Sequence, residues 1–104
     1  MKIRVIENSW FAKKIIGMNI TLYPFIFLTG SLEEAKETKI LHHEFVHIDQ
    51  IERLGIIRFY LFYATEFLYH LYQTRSWDRA YRSISFEKEA YYLMHEKKLP
   101  PGYE

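Results

Sequence analysis

The stretch Leu41-His42-His43-Glu44-Phe45-Val46-His47-Ile48 decides how the chain reads. His43 and His47 are four residues apart, so on a helix their imidazoles project from one face, about one turn apart. That spacing lets both reach a single zinc ion at about 2.0–2.1 Å. Glu44 follows the first histidine and lies beside such a metal rather than on it. A carboxylate there can take a proton from an attacking water and deliver it to a leaving amine. Leu41, Phe45, Val46 and Ile48 are apolar, as a site helix set into a core requires. His43 and His47 are therefore candidate metal ligands, and Glu44 is the candidate general base and acid.

The ends of this helix are legible. Ser31, in Gly30-Ser31-Leu32-Glu33-Glu34, is a suitable N-cap with Glu34 as its capping-box partner, and Gly55 offers the position after the last turn, so the helix is expected to run to about Leu54. A second helix is expected from Ile56 to about Thr74. It is rich in Phe, Tyr and Leu, but Arg58, Glu66 and His70 interrupt it, leaving no run of about 18 uncharged apolar residues for a membrane span. A buried central helix is the expectation. A third helix is expected from near Ser83 or Ser85 to about Lys98, stopped by Pro100 and Pro101, with residues 99–104 a non-helical tail.

Toward the N-terminus, three apolar runs read as short strands: Ile3 to Ile6, Trp10 to Ile16, and Ile20 to Phe27. Pro24 inside the third marks an edge strand or a bulge, and an edge strand leaves backbone groups free to pair with an extended peptide. The expected fold class is α+β, a small three-stranded sheet followed by three helices, in one domain of residues 1–104.

Composition narrows the function. At 104 residues the chain suffices for one domain, and 49% hydrophobic with 18% aromatic residues excludes a disordered tail. A formal net charge of +1 with mixed acids and bases gives no footprint for nucleic acid. No cysteine is present, so any metal must be held by His, Asp or Glu. The start lacks the apolar stretch of a signal peptide, which makes the cytoplasm the default compartment.

Two protein ligands are too few for a catalytic zinc, which takes three plus water. Gln50 and Arg53 stand where a three-histidine site would have Gly and His, so the third ligand comes from elsewhere. Glu66, His70, Asp78, Glu87, Glu89 and His95 are the candidates. Glu87 shares a helical face with Ala90, Tyr91 and Met94, an otherwise apolar stripe where a carboxylate needs a partner. Glu89 groups with Lys88 and Glu96 as solvated charge.

With these residues in place, the chain resembles the gluzincins, zinc peptidases with HExxH on one helix and a glutamate ligand on a second. Glu87-Lys88-Glu89-Ala90-Tyr91 looks like the E-x-x-A-D pattern of integral-membrane CAAX-processing and HtpX-type peptidases, with Tyr91 where those families have Asp. The short length and strand-rich start look most like the minigluzincins, soluble minimal scaffolds related to them. The resemblance implies a zincin-like architecture, peptide or protein substrates, zinc held by His43, His47 and Glu87, and a latent, zymogen-like form. Tyr91 or Tyr81 is a candidate oxyanion donor. The stiff Pro100-Pro101 tail ending in Tyr103 and Glu104 is expected to occupy a cleft of its own or a neighbouring chain, a route to self-association. Two other readings share the residues: a zinc-stabilised module that binds a partner or a membrane surface without catalysis, and a plain helical domain without metal.

Overall fold

The computed structural model describes residues 3–101. Strands β1 (Arg4–Ile6), β2 (Ile20–Leu22) and β3 (Phe25–Phe27) form a mixed sheet in the order β1-β3-β2. Ile26 is parallel-paired with Val5 and antiparallel-paired with Thr21, so β3 is central and β2 is an edge. Three strands are present, but not the three expected. The run from Trp10 to Ile16 forms a π-helical segment, Phe11–Ile16, closed by Gly17 at φ 82°. Its apolar residues at 11, 12, 15 and 16 recur with helical spacing, and the Ser9 hydroxyl accepts from the Ala12 N–H at 3.2 Å to start the turn. The run from Ile20 to Phe27 folds back on itself through Tyr23-Pro24, a cis peptide, and becomes β2 and β3. Pro24 has no N–H to donate to a continuous ladder.

The long helix expected from Ser31 to Leu54 is two helices, α1 (Leu32–Glu37) and α2 (Ile40–Leu54). Ser31 does cap the first, its hydroxyl accepting from the Glu34 N–H at 3.1 Å. The break falls at Lys39, which is left-handed at φ 65°, just after the Thr38 hydroxyl has turned back to the Glu34 carbonyl at 3.0 Å. Gly55, at φ 97° and ψ 148°, ends α2 and opens α3 (Ile56–Thr74) in a conformation that side-chain-bearing residues avoid. The expected third helix is preceded by a separate one: α4 (Trp77–Ser83), capped by Ser76, comes before α5 (Ser85–Leu93), which stops short of Lys98. Glu66 of α3 accepts from both the N–H and the hydroxyl of Ser85 at 2.8 Å, fixing where α5 begins. The chain therefore carries five α-helices among the described residues rather than three.

Leu41, Phe45 and Ile48 of α2 pack against Ile26 and Leu28 from the sheet side, with Leu99 at the margin of this core. Every residue from Leu41 to Ile48 is buried, because the other side of α2 is covered by α3 and α5. The expectation of a buried α3 does not hold. Phe59 alone of its residues is buried, while Ile57 is 82% and Tyr72 74% exposed. One side of α3 lies on the domain, and no element among the described residues covers the other. No helix among the described residues is long and apolar enough to cross a membrane.

The contrast gives a direct test by chemical denaturation. Phe45→Ala is expected to cost about 3–5 kcal/mol, a large fraction of the roughly 5–15 kcal/mol that stabilises a domain this size. Ile57→Ser is expected to stay within about 0.5 kcal/mol of the parent.

Candidate metal centre

Helix α2 has two faces with different chemistry. Leu41, Phe45 and Ile48 meet the sheet, while His43, His47 and Gln50, at the same spacing but on the opposite side, meet α5 and α3. Glu87 enters from α5 and is 3% exposed. Its Oε1 lies 2.9 Å from His43 Nε2 and 3.2 Å from His47 Nε2, so one carboxylate oxygen is shared by two imidazoles. Its Oε2 accepts from the Tyr63 hydroxyl of α3. A carboxylate oxygen accepts only, so both Nε2 atoms carry protons in this arrangement.

His47 is braced on its other nitrogen as well. Nδ1 lies 2.8 Å from Gln50 Oε1, while the Gln50 amide nitrogen donates to the Phe86 carbonyl at 3.0 Å and to Glu89 at 2.9 Å, which fixes the amide orientation. With acceptors on both sides, His47 is held as the imidazolium. Burial opposes that charge, but the hydrogen bond to Glu87 and the charges of Glu44 and Glu87 outweigh it and raise the pKa to about 9. Burial would likewise raise the Glu87 carboxyl, yet hydrogen bonds from His43 and His47 drive it far below the usual carboxylate range. His43 differs: its buried Nδ1 has no hydrogen-bond partner, and the ring of Tyr91 lies against it at 4.4 Å between centroids.

Glu44 is held apart from this cluster. Thr21 of the edge strand donates its hydroxyl to Glu44 Oε1 at 2.9 Å, and Oε2 stands 3.9 Å from His43 Nε2. Burial, more than its neighbours, sets its pKa and raises it. The carboxylate faces a cleft of about 340 Å³ between β2 and α3, walled by Ile20, Leu22, Phe59, Tyr60 and Tyr63. His47, Glu87 and Tyr81 also line it, and among the described residues no Lys or Arg does.

A metal fits these donors. One nitrogen from each histidine and one oxygen of Glu44 lie within 4.8 Å of one another, and the Glu87 oxygen is closer still to both nitrogens. Ligand atoms around a tetrahedral zinc stand about 3.3 Å apart, close to the separations Glu87 Oε1 already has. Two imidazoles and a carboxylate are a donor set that zinc accepts.

Of the other candidate ligands, Glu66 anchors Ser85, Asp78 pairs with Arg82 on the surface, His70 packs beside Tyr69, and His95 is exposed. Glu89 is not simply solvated charge, since it accepts from Gln50 and Arg53. Tyr81 lines the cleft and is hydrogen-bonded with Tyr91, which does not line it. Gln50, Tyr63 and Tyr60 join the site without a motif that announces them, and Thr21, expected in a strand that holds an extended peptide by its backbone, adds its side chain. Gln50 lies three residues after His47 and was within reach of a helical-face argument; the tyrosines and Thr21 arrive from distant elements with no local signal. The described part of the tail lies elsewhere: Leu99 packs on the core, Lys97 bonds Asp49 at 2.6 Å, and residues 97–101 do not line the cleft. Tyr103 and Glu104 lie outside the described residues.

Compared with known proteins, the chain matches no family, no curated protein and no solved structure.

The protonated cluster has a pH signature in metal-free protein. A folded pKa for His47 raised from 6.5 to about 9 means that its stabilisation is complete below pH 6.5 and is lost as pH rises through 9. Thermal unfolding in a chelator is expected to show the melting temperature falling across that window, and a His47→Gln variant is expected to lack this component of the fall.

Proposed function

We propose that this chain is a zinc-dependent peptidase in which His43, His47 and Glu87 hold the metal and Glu44 moves the proton. The observation that carries the reading is the division of labour between two buried carboxylates. Glu87 Oε1 sits against both Nε2 atoms, while Glu44 is held by Thr21 and faces the cleft. A zinc ion at such a site polarises a carbonyl and makes water acidic enough to attack near neutral pH.

Each side chain then has a role set by its surroundings. Gln50 orients His47, and Tyr63 holds the free oxygen of Glu87. Glu44, its pKa raised by burial, accepts a proton from the attacking water and passes it to the amine nitrogen as the C–N bond breaks, leaving a carboxylic acid and an amine. Burial also keeps the Tyr81 hydroxyl protonated in the cleft, which makes it a donor for the developing oxyanion. The cleft walls are aliphatic and aromatic, so the substrates are peptides with apolar residues flanking the scissile bond. The resemblance to the minigluzincins agrees with this set of residues.

A second reading draws on the uncovered side of α3. Exposed Ile57, Leu61, Leu68 and Tyr72 suit a zinc-stabilised binding module with the same ligands and no turnover. One zinc per chain without cleavage of casein would favour that module.

The peptidase reading expects Glu44→Gln to keep one zinc per chain and to lose hydrolysis, and His43→Ala or Glu87→Ala to lose the metal. Gln50→Ala is expected to weaken zinc binding about 10–100-fold, measured by competition with a chromophoric chelator. Tyr81→Phe should leave zinc content unchanged and lower kcat about 10²–10³-fold. Hydrolysis retained by Glu44→Gln in a clean preparation would remove Glu44 from its role.

A further inference from the structure

Backbone groups alternate sides along a strand, so in β2 the residues paired with β3 alternate with residues whose N–H and C=O point to the open edge. Thr21 stands opposite Ile26, between the Ile20–Phe27 and Leu22–Phe25 pairs, and its carbonyl, like the Tyr23 N–H beyond it, points to the open edge, where both meet α3. These are the groups that an added strand would use. Both are already taken by one side chain. The Tyr60 hydroxyl of α3 donates to the Thr21 carbonyl at 3.0 Å and accepts from the Tyr23 N–H at 3.0 Å. A donor for that C=O and an acceptor for that N–H, two residues apart, are what an added strand supplies with its backbone, from one residue in parallel pairing and from two in antiparallel pairing.

The position of this contact ties it to the site. Thr21, whose carbonyl Tyr60 occupies, is the residue whose hydroxyl holds Glu44. Tyr60 also lines the cleft beside Tyr63, and its ring packs edge-on against Phe59 at 5.0 Å. A peptide extended along β2 at Thr21 would therefore run past the Glu44 carboxylate between the sheet edge and α3, along the space that Tyr60 crosses.

The ordinary partner of such an edge is an extended peptide; we propose that the Tyr60 hydroxyl of α3 is an internal stand-in for that partner on β2, which a docking peptide must displace. The proposal rests on the peptidase reading for what happens after docking, but not for docking itself. It gives the register: the peptide takes the Thr21 carbonyl and the Tyr23 N–H, flanking Leu22. Latency then has a source inside the domain, since the closed edge competes with substrate. A tyrosine that merely sealed the edge against other chains would have no such consequence for peptide binding.

The test uses zinc-loaded full-length protein carrying Glu44→Gln, so that binding is read without turnover. The probe is a short fluorescein-labelled peptide rich in Leu and Ala, followed by anisotropy. Adding Tyr60→Phe is expected to tighten binding about tenfold, by removing the two bonds the peptide must break, and Tyr60→Ala is expected to tighten it at least as much. In ¹⁵N spectra the Tyr23 amide is expected to exchange faster with solvent in Tyr60→Phe and to become protected when peptide is added. N-methylating the peptide at alternate amides should abolish the gain in one of the two registers. Binding no tighter in both variants, or a Tyr23 amide that ignores the peptide, overturns the proposal. Hydrolysis by the unmutated protein is scored separately. Tighter binding without hydrolysis keeps the docking edge and removes the peptidase reading, and hydrolysis without a Tyr60 effect does the reverse.

Discussion

Helix α2 is buried on both sides, and one of those sides carries His43, Glu44, His47 and Gln50. Polar groups without partners inside a protein cost on the order of 1–3 kcal/mol each, so this face dictates what must be packed against it. Glu87 answers most of that demand with one oxygen. To place it there, α5 must run alongside α2, and the start of α5 is pinned to α3 by Glu66. Tyr63 takes the remaining oxygen of Glu87 and so draws α3 into the same network, while Gly55 makes the sharp reversal that brings α3 alongside. Thr21 extends the network to the sheet. The arrangement of elements around α2 is therefore an arrangement of partners for its polar face.

The same constraint links fold to chemistry. Three atoms that converge tightly enough to share protons are placed to share a cation, and the two occupants compete because ligation requires neutral imidazole. Glu44 Oε1 is held by Thr21 while its Oε2 stands 3.9 Å from His43 Nε2, and the buried carboxylate borders an apolar cleft. His43 has the least polar support of these groups: its Nδ1 lacks a partner, and the ring of Tyr91 packs against it.

Much of this was readable in the chain, and the boundary has physical reasons. The His43–His47 spacing, the Ser31 cap and the Gly55 stop are local or one-helix patterns, and each appears in the structure as expected; the stripe around Glu87 holds in part, with Ala90 and Met94 buried and Tyr91 48% exposed. The failures have two kinds. Lys39 adopts a left-handed conformation that its residue type does not announce, splitting one helix into two, and the Trp10–Ile16 run has the residue types of a strand but the apolar spacing of a helix. The contributions of Thr21, Tyr60 and Tyr63 to the site depend on tertiary packing across more than twenty residues of sequence, which no local pattern encodes. Helix α3 shows the limit most plainly: its high content of Phe, Tyr and Leu signals burial, yet no element among the described residues covers its outer side.

The central claim is that two imidazoles and the Glu87 carboxylate form one metal centre. X-ray absorption at the zinc edge of the loaded protein tests it most directly, comparing the parent with Glu87→Ala. The account predicts one zinc per chain with two imidazole nitrogens and a carboxylate oxygen in the parent, and loss of that coordination shell in the variant. A parent that takes up no stoichiometric zinc, or a shell unchanged by Glu87→Ala, would contradict it.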